Sequence, residues 1–162
     1  MAFPVTRFPS PRMMSSTESG HHAQIYTAIS LALALPVLLW PLAWLSGNWL
    51  ETGAEIQRRW LAAAVCLLMA AVVADSILSG MRNNREILSG TTWIIFTSLI
   101  AGLAFRTPFG LSLIASLFGL HALRSGVPIW KGKQQWWLWP AWVRDTGTAL
   151  ILFGWLAFFG YV

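Results

Sequence analysis

"ILSGTTWIIFTSLIAGLAFRTPFGLSLIASLFGLHAL", residues 87–123, is apolar almost throughout. Its reading decides how often the chain crosses a membrane. As one helix it would be about 55 Å long, against a bilayer core of about 30 Å. Arg106, Pro108 and Gly110 interrupt it with turn residues. The stretch therefore predicts two helices, 87–105 and 109–123, joined by a tight turn. A re-entrant pair beside the remaining spans is the rival reading. Re-entrant arms are usually shorter than these, which favours two full crossings.

Apolar runs lie on both sides of this stretch. Residues 60–80 are Ala-rich and predict a span. Residues 142–162 predict a last one. Residues 23–45 predict the first, and Pro36 and Pro41 inside it are expected to kink it or end it early. Only 10% of the chain is charged and 56% is hydrophobic, whereas soluble domains carry about 25% charged residues. The expected fold is an all-α polytopic membrane bundle of about five helices. Residues 1–22, polar and rich in Pro and Ser, read as a flexible tail without the apolar core of a signal peptide. Residues 23–162 read as one transmembrane domain.

Between the fourth and fifth runs lies a different composition. Residues 124–141 hold Trp130, Trp136, Trp137 and Trp139 beside Lys131 and Lys133, with Arg144 just beyond. Indole rings settle at headgroup depth, where the ring is apolar and the N–H is wet. The three cations suit anionic headgroups. Pro128 and Pro140 cut the segment into short pieces. It is expected to lie along the surface, with those Trp, Lys and Arg residues as anchors.

Cations also orient the chain. With the tail inside, Arg7, Arg12, Arg82, Arg85, Arg124, Lys131, Lys133 and Arg144 are cytoplasmic, and Arg58, Arg59 and Arg106 are outside. That excess agrees with the positive-inside rule. A bacterial-type inner membrane with a cytoplasmic N-terminus and an outside C-terminus is the expectation. The net charge of +5 is then a topology signal. No nucleic-acid-binding pattern accompanies it, so nucleic acid is not an expected partner.

Two isolated ionisable residues stand out within the predicted spans: Asp75 near the end of the second and His121 near the end of the fourth. Both helices run outside to inside in this topology, so the two share a depth and could pair. Intramembrane ionisable groups are costly and mark functional sites by default. The plainer reading is helix-to-helix glue, with Asp75 bonding Arg82 or Arg124. His121 could instead ligate a tetrapyrrole, with His21 or His22 as a second axial ligand; the default is no cofactor and no metal. Glu51 and Glu55 read as a solvated helical turn, and Arg106 as an outside anchor. The lone cysteine, Cys66, reads as a small core residue.

Small residues at four-residue spacing let helix backbones approach in lipid. Ala70 and Ala74 form one such face. Ser112, Ala115, Ser116 and Gly119 form another. No nucleophile elbow, zinc-protease, Walker or CxxC motif is present in the sequence, which tilts the reading away from an enzyme. The first expectation is therefore a non-catalytic accessory subunit or assembly factor of a larger membrane complex, partnered by lipid and by other subunits or copies of itself. The alternatives are a small oligomeric transporter or channel component using Asp75 and His121, or a redox or pigment-binding subunit with His121 as ligand.

Overall fold

The computed structural model describes residues 16–45, 53–79, 84–132 and 135–158. Its regular elements are helices: α1 (Ser16–Leu45), α2 (Gly53–Leu78), α3 (Asn84–Ala104), α4 (Gly110–Trp130) and α5 (Leu138–Phe158). Four carry segments long and apolar enough to cross a membrane: His21–Leu39, Gln57–Leu78, Ile87–Ala104 and Gly110–Trp130. The protein is a helical membrane bundle. α5 matches α4 in length at 21 residues, but Arg144 and Asp145 break its apolar run.

Residues 87–123 divide at the expected turn. The Arg106 N–H donates to the Leu103 carbonyl, and the Leu113 N–H donates to the Phe109 carbonyl. Gly110 starts α4 so close to α3 that a Cβ there would collide with the Ala104 carbonyl oxygen. Each arm has 21 residues, about 31 Å of helix. Neither is a short re-entrant arm.

α4 occupies the centre. It packs most extensively on α5 and also touches α3 and α2, while α1 closes the bundle against α5 and α2. Trp60, Leu68, Ile114, Phe118, Leu152 and Leu156 form the core, with Ala64, Ala104 and Ala115 where backbones come close. Leu31, Leu88, Leu99 and Leu150 point outward, as lipid-facing positions do. Cys66 is also exposed, not a core residue: it lies on the outer side of α2, opposite Leu67 and Leu68.

Three expectations about local structure are corrected. First, α1 begins at Ser16, so residues 16–22 are helix rather than tail. Extending an established helix gains one hydrogen bond per residue without a new nucleus, and the last proline before it, Pro11, lies upstream. Second, α1 runs through Pro36 and Pro41 to Leu45. Pro41 lacks the N–H that would bond the carbonyl four residues back, Val37. That carbonyl instead accepts from Trp60 Nε1 at 2.9 Å. A neighbouring helix thus satisfies the group the proline frees.

Third, residues 124–141 are not cut into short pieces by their prolines. α4 continues to Trp130 with Pro128 in its last turn. A turn at Lys131–Gly132, with Gly132 at φ 75°, ends it. α5 starts at Leu138, and Pro140 falls in its first turn, where no intrahelical donor is needed. The extra helix is paid for by packing: Ser125 and Gly126 are buried, and a Cβ on Gly126 would stand 3.0 Å from Trp142 Nε1.

Candidate functional site

The extended α4 and the early α5 bring four helices together at the Trp-rich end. Tyr26 comes from α1, Asp75 from α2, His121 from α4, and Arg144 and Asp145 from α5. Their side chains form one hydrogen-bonded network.

Arg144 is its hub. Nε and Nη2 grip Asp145 at 2.7 and 3.1 Å, in the two-point geometry that guanidinium and carboxylate favour. Nη2 also donates to Asp75 Oδ2 at 3.0 Å, and Nη1 to the Tyr26 hydroxyl at 2.6 Å. The Tyr26 hydroxyl in turn donates to Asp75 Oδ1 at 2.6 Å. Arg144 is only 8% exposed and Asp145 is 0% exposed. Arg144 is therefore not a headgroup anchor. Its position six residues into α5 carries it below the surface, where the carboxylates replace water.

Asp75 and His121 are in contact: His121 Nε2 lies 3.1 Å from Asp75 Oδ2 and 3.8 Å from Asp145 Oδ2. The other ring nitrogen decides the tautomer. Trp93 Nε1, on α3, points at His121 Nδ1 from 3.0 Å. An indole N–H only donates, so Nδ1 accepts. The imidazole is neutral, with its proton on Nε2 and directed at Asp75. The two rings are nearly parallel, with centroids 5.9 Å apart.

One side of the network borders a cavity of about 340 Å³. Asp75 and His121 line it, with Ser76, Ser79 and Ser125 on the walls and Gln135 and Trp137 from the α4–α5 connection. The Ser76 and Ser125 hydroxyls bond carbonyls of their own helices, which leaves an oxygen lone pair on each for a guest. The chemistry on offer is a polar pocket over an imidazole–carboxylate pair.

Asp75, His121 and Asp145 also bring three ligand-type atoms within 4.8 Å of one another. The set does not fit a metal ion, because the Arg144 guanidinium already stands between the two carboxylates and bonds both. A tetrapyrrole needs a free imidazole nitrogen for its iron or magnesium. Both nitrogens of His121 are engaged, and the ring is 2% exposed.

The remaining sequence-selected residues lie apart. Trp130 and Trp139 are exposed, while Trp136 is half-buried and Trp137 is buried with Leu138 and Ala141. Lys131 is exposed. Lys133 and Glu51 lie outside the described residues. Ala115 is in the core, whereas Ala70 and Ser116 face outward, with Ala74, Ser112 and Gly119 half-buried beside them. His21 and His22 are exposed on α1, His22 against the Trp136 ring. Tyr26, Trp93 and Asp145 were not foreseen. The visible signal for one of them was the Arg144–Asp145 dipeptide inside an apolar run.

Comparison with protein-family models, curated proteins and solved structures finds no match for this chain.

Proposed function

We propose that the protein is a proton-handling component of a membrane transporter or channel, with Asp75 and His121 carrying the proton. One observation supports this reading above the others: a neutral imidazole and the carboxylate it bonds, Asp75, both line an open polar cavity, and a second carboxylate, Asp145, is buried behind them. A helix clamp alone would need neither the cavity nor a titratable ring on its wall.

In this reading Trp93 is the gate. While its N–H occupies Nδ1, His121 cannot take a proton there. Once the indole moves away, Nδ1 is open to take a proton, and Nε2 gives its proton to Asp75 Oδ2. The ring ends neutral but as the other tautomer, with its proton on Nδ1, and must exchange that proton back to Nε2 before the next transfer. Asp145 is the next acceptor, and Arg144 holds both carboxylates in position. Beyond Asp145 on the same face of α5, the buried Thr148 hydroxyl has no partner among the described residues, so it is available to continue the path.

In this reading the cavity opens at the cytoplasmic face of a bacterial-type inner membrane, an orientation that the cation distribution supports. α5 is then the fifth span, and the C-terminus is outside. The test is proton flux into proteoliposomes under an imposed potential, read by a pH-sensitive dye. Asp75→Asn is expected to lower the flux roughly a hundredfold, the scale of a lost acid–base group. Trp93→Phe is expected to raise it. Flux unchanged by Asp75→Asn would refute the relay.

A second reading, an accessory subunit, draws on a different observation. Cys66 and Ala70 on α2 and Ser116 on α4 are small and face outward. A Cβ added to Gly119 would touch nothing within 4 Å. Such surfaces accept a partner helix, from another subunit or a second copy. Native mass spectrometry of gently extracted protein tests it. A bare monomer would reject it, and a mass well above 18.0 kDa would support it.

A further inference from the structure

Arg124 stands at the boundary of two hollows. One is the polar cavity above Asp75 and His121. The other is a groove of about 690 Å³ between α3 and α4, walled by Leu88, Trp93, Phe96 and Leu120. Arg124 and Ser89 line both. The Arg124 guanidinium carbon sits 5.2 Å above the Trp93 ring. Neither it nor the Ser89 hydroxyl has a hydrogen bond or ion pair among the described residues.

We infer that this groove is a binding site for an anionic phospholipid, with one acyl chain along α3 and α4 and the phosphate on Arg124. Four considerations support it. The groove is apolar and outward-facing in a membrane protein, so its occupant is an acyl chain rather than water. Its volume lies in the range of ligand pockets. Arg124 is half-buried, and a guanidinium partly removed from water favours a close anion; Asp75 attracts it only from a distance, with no direct ion pair between them among the described residues. It lies less than two turns before the exposed Trp130 and Lys131, at headgroup depth.

The charge of the lipid follows from what surrounds the mouth. Guanidinium and phosphate form paired hydrogen bonds. A choline headgroup would also need a carboxylate for its cation. Among the described residues Asp75 is the one carboxylate lining either hollow, and Tyr26, His121 and Arg144 already engage both its oxygens. The site therefore selects a net-negative headgroup over a zwitterionic one. A bound lipid would close the side opening between groove and cavity. This inference does not depend on the proton relay.

The experiment uses the full chain, delipidated in detergent and titrated with phosphatidylglycerol or phosphatidylcholine of the same acyl chains, with native mass spectrometry as readout. Phosphatidylglycerol is expected to bind about tenfold more tightly, the value of one modest charge-assisted contact. Arg124→Gln is expected to bring it down to the phosphatidylcholine level. Leu120→Trp, which fills the groove and leaves Arg124 intact, is expected to weaken both lipids. Lys131→Gln, at an exposed cation outside the groove, is expected to change neither. Equal binding of the two lipids by the native protein would overturn the inference. So would a preference that survives Arg124→Gln, or one lost equally in Lys131→Gln, since that would be diffuse surface attraction. Inorganic phosphate at matching concentration is expected to leave the lipid bound; displacement by it would show that the groove contributes nothing.

Discussion

The two ends of α2 and α4 are joined by opposite kinds of chemistry. At the Gly110 end, Leu61 and Ala104 pack against the start of α4 with no charge in the contact. Trp60 Nε1 donates a hydrogen bond across to the Val37 carbonyl of α1. At the Trp137 end, the same two helices meet through Asp75 and His121, and α1 and α5 join through Tyr26 and Arg144. The apolar end is a sum of small, separable terms. The charged end is shared, so removing one member leaves the others buried without partners.

Mutations should divide along that line. The largest effect is expected for Arg144→Met, which strands two carboxylates. Its cost is about 3–5 kcal/mol, read as the shift in unfolding midpoint on titration with denaturing detergent. A shift no larger than that of an apolar-end variant would erase the distinction between the ends. Gly110→Val comes next. Its side chain must displace the Ala104 carbonyl or Leu61, at a cost of about 1–3 kcal/mol. The same titration checks it, and no loss would mean that α3 and α4 meet less closely than described. Trp60→Phe is expected to be mildest. It keeps an aromatic ring but a smaller one, so it loses an interhelical hydrogen bond worth about 0.6 kcal/mol and some core packing, about 1–2 kcal/mol in all. A loss several times larger would mean that the carbonyl freed by Pro41 has no substitute partner.

The fold was legible where turn residues were unambiguous. Arg106, Pro108 and Gly110 marked the α3–α4 turn, and the apolar runs marked the helices. The Trp-rich segment was misread for a specific reason. Pro128 and Pro140 look like breaks, yet one falls in the last turn of a helix and the other in the first turn of the next, where proline is tolerated. Misplacing the start of α5 then hid the rest of the site. Arg144, expected near the surface, became a headgroup anchor, and Asp145 beside it went unweighed. Asp75 and His121 were legible because an isolated charge in an apolar helix needs a partner. That Trp93 sets the tautomer of His121 depends on an α3–α4 contact between residues 28 positions apart, which no local pattern encodes.

The gate is the central claim, and the imidazole of His121 reports on it directly. Nitrogen-15 NMR of histidine-labelled protein in bilayers distinguishes the two neutral tautomers and the charged ring. The account predicts a neutral His121 with its proton on Nε2 and a hydrogen-bonded Nδ1, and predicts that Trp93→Phe removes the Nδ1 hydrogen bond. A proton found on Nδ1 in the native protein would contradict it, because the Trp93 N–H would then face another donor and could not hold the ring closed.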